Sequence, residues 1–597
     1  MLVTEGTYPQ VHGGVSTWCD QMIRGLAGHR FQVISLTATG REETVWELPD
    51  NVLGHTTVPI WNMTPASHRR PRNGADRRDP GLRDLGPRDL GSHALDPHAL
   101  DPHALGSHEA GPHRSVSSAR GWRDSLLRRG ARPDPGHAPA RALVAAALSR
   151  GPDAATEFEA ALFELFLLAQ RTDLGSVWRS ARLVMDTVEL WADHQGGQSG
   201  QGEQQSPELP LSDAMAALDL IEHALRPLAF RPVQADVTHA VSNGLAALIG
   251  LGAKWTHGTP LVLAEHGVYL RERYLALRLE PLGWPVKAIL AAFTRRLCEA
   301  GYRAADLITP CADFNQRWEL RLGADPAKLR TVYNGVDPAR FQQAGAEPDV
   351  PTLAFVGRID PLKDLLTLFR AFALVLEQIP QARLRVYGAA PKGGERYHEE
   401  CLALVAELGL GEAVIFEGQC SAVSEAYAAS HVVVLSSISE GFPFSVIEAM
   451  VCARPLVATE VGGVAEAIGP TGLVVPPRRP DKFAEACVQL LTDHPRRLAL
   501  GRAARERALE LFSIERAVTA FDQIYRDLAV DPETIGLTLV GSEPVGPTAV
   551  SSEPVSSESV DPAPGRAVSV GAASVGSASA GAASVDPGPV ELCGVPG

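Results

Sequence analysis

Six short apolar runs dominate the second half of this chain: TLAFVG, RLRVYG, AVIFEG, HVVVL, PLVAT and GLVVP, each followed by a helical or turn segment. Such runs lack polar alternation, so both faces of each strand must be covered, as in a parallel sheet packed between helices. FQVISLT, DVTHA, PLVLAEH and LITP repeat the theme earlier, with amphipathic helices between them. Two such halves meeting near VYNGVDPARF predict a two-lobed, doubly wound α/β architecture. Ligands of open sheets bind beyond the carboxyl ends of the strands, so chemistry is expected in the cleft between the lobes.

A length of 597 residues exceeds one ordinary hydrophobic core and predicts two or more domains. The formal charge of -15 argues against a nucleic-acid partner, whose footprint would be a basic stripe. Cys19, Cys298, Cys311, Cys401, Cys420, Cys452, Cys487 and Cys593 form no CxxC pair. They read as buried, reduced thiols, not as a disulfide framework or a zinc site. No stretch has the layout of a secretory signal, and no apolar run reaches the roughly 18 residues that span a bilayer. A cytoplasmic protein is expected, and peripheral attachment to a membrane complex is compatible with that. MLVT supplies only the end of a first strand, so either that strand is short or the natural start lies upstream.

Residues 66–140 carry a Pro-, Gly-, Asp- and His-rich repeat (DLGPRDLGSHALDPHALDPHALGSHE) with almost no aromatic or β-branched residues. A segment of this kind cannot bury enough apolar surface to offset its ordering entropy, so disorder is expected. Its histidines (His93, His98, His103, His108, His113) read as part of a solvated linker ahead of an adventitious metal site. The Ser/Val/Gly/Ala/Pro tail from 531 to 597 is expected to be disordered as well, and HQGGQSGQGEQQSPE to be a loop. Between the loops, EFEAALFELFLLAQRTDLGSVWRSARLVMDTVELWAD has three-and-four apolar spacing. It predicts a helical pair inserted in the first domain, over about 150–230, whose apolar width packs on the core or on a partner helix.

Three units carry candidate chemistry. In EGTYPQVHGGVSTWCDQMIRGLA, Gly13 and Gly14 precede a helix near Ser16, an arrangement that lets backbone amides approach a phosphate; a plain tight turn is the alternative. In FVGRIDPLKD, Arg358 and Lys363 follow a strand end and are placed to hold a diphosphate, unless they are a solvated surface pair. In SSISEGFPFSVIEAM, Glu440 falls in a loop at the sheet's carboxyl edge, with Gly441, Phe442 and Pro443 leading into a helix at Phe444 and Ser445. Glu448, one turn into that helix, can accept both hydroxyls of a ribose while the free amides of Phe444 and Ser445 face phosphate; otherwise it is a helical surface acid.

Together these pieces resemble the retaining glycosyltransferases of family 4, which have the GT-B fold of two Rossmann-like domains facing a cleft. The matching elements are the Gly-Gly loop, NGVD at Asn334 to Asp337, GRID-x2-K, and E-G-F-P-x-S-x2-E-A-M followed by P-L-V-A-T-E-V-G-G. EGTYPQVHGGVSTW and AEHGVYLRERYL are more narrowly similar to the PelF-type exopolysaccharide branch, whose members also carry a helical insertion in the first domain. The resemblance implies an acceptor-side domain over 1–340, a nucleotide-sugar domain over 341–512, and a helix crossing back over 513–530.

The same resemblance implies the roles. Arg358 and Lys363 neutralise the donor diphosphate, Glu448 binds ribose, and Glu440 lies by the transferred sugar. Gly14 lets phosphate and acceptor approach, and His266, which alone would read as structural, contacts the donor sugar. Glu265, Gly267, Tyr269, Arg271 and Arg273 form a polar rim for the acceptor. The implied reaction is retaining transfer of a hexose from a nucleotide diphosphate sugar, UDP-glucose in the nearer branch, to a polysaccharide or other glycan. No cofactor or metal is expected, because no DxD pair follows a strand and the cations with the helix ends can replace a metal. A GT-B epimerase or phosphorylase, or an idle scaffold of a polysaccharide export complex, are the alternatives. Domain closure is expected to hinge near Asn334–Pro348 and Phe512.

Overall fold

The computed structural model describes residues 1–61, 135–196, 208–391, 393–420 and 422–529. The expected disordered tail, the loop after Trp191 from residue 197, and most of the 66–140 insert lie outside them. The end of that insert is described, and there His137 opens a helix.

The first lobe is built on β1 (Leu2–Glu5), β2 (Phe31–Thr37), β3 (Val52–Pro59), β4 (Thr238–Ala240), β5 (Leu261–Glu265) and β6 (Leu307–Pro310). The second uses β7 (Thr352–Val356), β8 (Arg383–Tyr387), β9 (Val414–Gly418), β10 (Val432–Leu435), β11 (Leu456–Thr459) and β12 (Leu473–Val475). Their orders are β3-β2-β1-β4-β5-β6 and β12-β11-β10-β7-β8-β9, so each is the same doubly wound arrangement, with reversal beside its first strand. Every strand pairing is parallel, as between Leu2 and Val33 and between Val433 and Leu456. Strands β5, β10 and β11 are buried along their whole length, which is why they read as uninterrupted apolar runs. These are the two Rossmann-like domains of a GT-B fold.

The segment read as a helical pair holds Ala154–Ala169 and Ala181–Gly196 with the single turn Gly175–Trp178 between them, and His137–Leu148 and Leu211–Leu225 flank it to make a larger bundle. Its seam is made by residues such as Phe158, Leu162, Leu165, Trp178 and Leu218, all buried in one core with β1, β5 and the helix Trp284–Ala304. The insertion is therefore continuous with the first lobe's core and is not a separate body. No helix among the described residues is long and apolar enough to cross a membrane.

Two chain segments join the lobes, and they run side by side. Val336 N–H donates to Phe512 O at 2.9 Å, and Ile514 N–H donates to Val336 O at 3.1 Å. The helix Ile514–Leu528 then packs on the first lobe through Phe521, Ile524 and Tyr525, buried with Trp18, Met22 and Phe31. The Phe521 ring meets Trp18 edge-on at 5.3 Å and lies 5.3 Å from His239. Truncation of Phe521 to Ala removes a buried aromatic from this seam and is expected to lower stability by about 3–5 kcal/mol. Denaturant titration checks this, and a loss below about 1 kcal/mol would mean the helix is not part of the first lobe's cooperative unit.

Candidate active site

The second-lobe wall starts from an Asp-capped turn. Asp360 Oδ1 accepts from the amides of Leu362 (2.9 Å) and Lys363 (3.3 Å), which closes the 3-10 turn Pro361–Lys363 after β7. That turn aims Lys363 inward, where its Nζ donates to Glu440 Oε1 at 2.6 Å. Ser437 Oγ donates to the same oxygen at 2.5 Å, so one carboxylate oxygen fixes the ammonium and the loop after β10 together. The two loops are stitched further by Ile438 N–H to Leu362 O (2.8 Å) and Ser436 Oγ to Lys363 O (2.8 Å). Arg358 does not join this cluster. Its guanidinium pairs with Asp360 at 3.3 Å, and 52% of its side chain is open to solvent.

The helix Phe444–Val451 begins at Pro443, and no side chain caps its start, so its first amides stay available to an anion. Glu448 faces inward, and Tyr427 Oη donates to its Oε2 at 2.7 Å. Burial pushes the Glu448 carboxyl above its ordinary range, against the pull of the Tyr427 hydroxyl and Arg340.

Glycines let this wall meet the first lobe. A Cβ on Gly441 would stand 1.6 Å from His266 O, so only glycine permits the approach. Gly462, at φ +57°, brings the loop after β11 onto the same turn, where its Cβ would stand 1.8 Å from Glu440 O. Gly463 N–H donates to Gly441 O at 2.7 Å, and Asn334 Nδ2 donates to Phe442 O at 2.9 Å. The PLVATEVGG and YNGVD segments thus act as supports of the EGFP turn. Glu466 adds a clasp between lobes: its carboxylate accepts from the Asp313 (2.9 Å) and Phe314 (3.1 Å) amides at the start of the helix Asp313–Arg321.

On the first-lobe wall, Gly13 and Gly14 lead into the helix Gly14–Gly25. Gly13 has extended backbone (φ 173°), so its value is open space and not a special conformation: a Cβ there would meet nothing within 4 Å. A Cβ on Gly14 would touch the Phe444 ring at 3.4 Å, which places this loop against the start of the helix Phe444–Val451. His266 follows β5 directly, its ring edge-on to Trp18 at 4.6 Å. Both of its ring nitrogens are buried, and the side chain of Asn334 is the polar group beside them, its contact short of full hydrogen-bond geometry. Burial lowers its pKa to about 4, so the ring is neutral near pH 7 and carries one donor and one acceptor nitrogen.

Beneath His266 the backbone is fixed by Cys311 N–H to Glu265 O (3.1 Å) and Cys311 Sγ to His266 O (3.2 Å). The Glu265 carboxylate accepts from Tyr302 Oη at 2.7 Å; burial holds it and the neighbouring Glu319 well above the usual carboxylate range. Glu265 is thus a core support and not part of an exposed rim. Glu272 is the wall's remaining acid. Burial raises it to about 7, Arg273 and Arg271 oppose this, and it lies within the field of Glu5 and of Glu440 across the cleft. Sequence reading missed Glu5, Glu272, Tyr427 and Glu466, none of which belongs to a spacing pattern. Away from the cleft, Asp219, Glu222 and His223 lie close enough to share an ion, but Glu222 is taken up by Arg226 at 2.9 Å.

Residues 350–493 match the family described as glycosyl transferases group 1, and residues 1–85 and 138–327 match a domain of unknown function (DUF3492). The D-inositol 3-phosphate glycosyltransferase of Kribbella flavida is 34% identical over 303 residues, 48% of this chain and 70% of that protein. Its namesake in Actinosynnema mirum is 37% identical over 43% of this chain and 64% of its own length. Among solved structures, the sucrose-phosphate synthase of Thermosynechococcus elongatus aligns with a TM-score of 0.50 at 17% identity, over 88% of this chain and 98% of that one. At that identity the likeness concerns the fold.

Two outcomes follow from the geometry. Gly441→Ala sets a methyl group against the His266 carbonyl, so the lobes part locally and turnover falls about 10²-fold, the scale of a 1 Å misplacement. Steady-state kinetics with any accepted donor reads this, and near wild-type turnover would show that the contact is dispensable. The second concerns pH. An unfolded histidine binds its proton near 6.5 and folded His266 only near 4, so its contribution is intact above 6.5 and is lost as pH falls toward 4. His239, lowered by burial to about 3, acts with the same sign. Denaturation at pH 6.5 and 4.5 should therefore show a smaller loss for His266→Gln than for the parent chain.

Proposed function

Since the chain belongs to the group 1 glycosyl transferases, we propose that it transfers a hexose from a nucleotide diphosphate sugar, UDP-glucose, to a hydroxyl of a glycan. In this reading the configuration of the anomeric carbon is retained, no metal is needed, and the enzyme works in the cytoplasm, peripherally to a polysaccharide export assembly. The observation that carries it is the Lys363–Glu440 pair, set beside an uncapped helix start, with the buried, neutral ring of His266 on the other lobe.

The chemistry follows from where charge grows. Breaking the bond between the anomeric carbon and the phosphate oxygen puts negative charge on the leaving diphosphate and makes the sugar oxocarbenium-like. Lys363, already held in place, and the amides at Phe444 and Ser445 are fixed donors for that oxygen, the largest lever such a site has. Arg358, half open to solvent, can swing onto the outer phosphate when the donor arrives. Glu448, steadied by Tyr427, accepts the ribose hydroxyls. His266 and Glu440 approach the sugar from opposite lobes, and Gly14 leaves room between them. The acceptor's proton passes to the leaving phosphate. The curated relatives are named for D-inositol 3-phosphate, a different acceptor from the glycan proposed here.

Lys363→Ala is expected to lower donor-dependent turnover by roughly 10²-fold or more, the scale of one preorganised donor. Glu448→Ala should act mainly through donor KM. Product analysis with and without an acceptor separates the possible reactions: a glycoside formed only with acceptor supports transfer. Free sugar phosphate or an epimer formed without one would assign the site to a phosphorylase or epimerase instead.

A further inference from the structure

Asn334 stands at the joint of the two lobes. It precedes Gly335, on which the backbone of Ser513 and Ile514 presses, and it follows Tyr333, whose ring stacks on Phe442 at 5.3 Å. The residue is only 3% exposed. The orientation of its carboxamide is fixed by chemistry: Nδ2 donates to Phe442 O at 2.9 Å, and a carbonyl can only accept, so the amide cannot be turned end for end. That leaves Oδ1 buried and without a formed hydrogen bond, next to the ring of His266. An acceptor left bare in a buried seam is costly, and the only remedy is an N–H.

The ring of His266 has the complementary need. Neutral, it carries one N–H and one bare nitrogen, and both positions are buried. Its other neighbours offer no acceptor for the N–H. Trp18, edge-on at 4.6 Å, can only donate, and His239 already meets Tyr525 Oη through Nδ1 at 2.6 Å. Asn334 acts on His266 in the sense that favours the ring proton, as an amide oxygen facing a ring N–H does. Once that N–H is spent on Oδ1, the second ring nitrogen is a pure acceptor, and its match in a ligand is a hydroxyl.

We propose that Asn334 is a positioning residue for His266: its Oδ1 holds the proton on the ring nitrogen that faces it, its Nδ2 ties that orientation to the turn carrying Glu440, and the free ring nitrogen accepts a hydroxyl of the transferred sugar. The proposal rests on the transferase reading above and names the group that sets the tautomer of its first-lobe residue. Because the amide is bonded to the EGFP turn, the ring is set only when that turn and the His266 loop are together. A group at the joint moves least when the lobes rotate, so Asn334 can serve both.

The first test is spectroscopic and needs no turnover. Nitrogen-15 spectra of histidine-labelled protein, with the His266 signals assigned by their loss in His266→Gln, should show one neutral tautomer in the parent and a mixture of both in Asn334→Ala. A mixed ring in the parent, or a single tautomer that survives the loss of Asn334, would overturn the proposal. Asn334→Ser, which is too short to reach both partners, takes the place of the alanine variant if that one does not fold. The second test is a double-mutant cycle with UDP-glucose. His266→Gln and Asn334→Ala should each lower kcat about tenfold, the scale for a residue that orients another, and the double variant should fall no more than about twofold below His266→Gln. The Kd for UDP should stay within about threefold of the parent throughout, since the diphosphate groups are untouched. Losses that multiply, or a loss confined to UDP binding, would show that Asn334 only supports the EGFP turn. A parent with no UDP binding and no turnover would remove the transferase reading, while the ring spectra would still judge Asn334.

Discussion

Everything at the centre of this molecule depends on a backbone-to-backbone approach: the turn at Gly441 rests on the carbonyl of His266, at a distance no side chain permits. Because the contact involves only main-chain atoms, it fixes the lobes' separation more sharply than interlocking side chains could, since there are no rotamers to adjust. It brings the Lys363–Glu440 pair, which belongs wholly to the second lobe, to the loop that carries His266. The surrounding groups defend that approach: Asn334 holds the Phe442 carbonyl, Gly463 holds the Gly441 carbonyl, and Glu466 caps a first-lobe helix from the second lobe. Each spends a polar group on the partner lobe's backbone or on the turn that meets it, and together they prevent orphaned amides and carbonyls at a buried seam.

The cleft also organises charge before any ligand arrives. Lys363 and Glu440 satisfy each other through one carboxylate oxygen, shared with Ser437, which avoids an isolated buried ion. On the opposite wall burial acts in the other sense. It keeps His266 neutral and raises Glu272 to about 7 against the pull of Arg273 and Arg271. Each wall therefore holds cations against acids of its own lobe, Lys363 on Glu440 and Arg273 on Glu5, so neither carries an isolated buried charge.

The strands were legible because burial on both faces leaves uninterrupted apolar runs, and the turn chemistry of EGFP and GRID-x2-K was legible because those residues are neighbours in sequence. Function that depends on residues far apart was not. Glu5 meets Arg273, and Glu466 meets Asp313, through topology alone, and no periodicity marks either acid. Tyr427 gave no sign either, for a buried tyrosine looks the same whether or not a carboxylate waits beside it. The pair at the heart of the helical insertion was recognised by spacing, while the flanking helices His137–Leu148 and Leu211–Leu225 join it only through a shared apolar seam that spacing does not reveal. Arg358 illustrates the converse: its position in the motif is clear, while its pairing with Asp360 is a matter of geometry.

The two connections between the lobes lie side by side, which bears on how such a cleft could open. Val336 and Ser513 pair as a short parallel bridge, and the backbone of Ser513 and Ile514 presses so closely on Gly335 that a Cβ there would stand 2.5 Å from the Ile514 Cα. The segments expected to act as separate hinges are therefore one mechanical element. Lobes joined by two distant linkers could shear or twist; lobes joined at one paired point can only rotate about it. Rotation about that point separates Gly441 from His266 and releases the Glu466 cap in the same movement. Cys311 and Ala312 are buried in the second lobe's core and Phe444 packs on the first lobe's cluster around Trp18, so opening costs apolar burial as well as hydrogen bonds. Of the two contacts, the main-chain approach of Gly441 to the His266 carbonyl is the one that leaves no room for adjustment, and it would act as the stop if the lobes rotate.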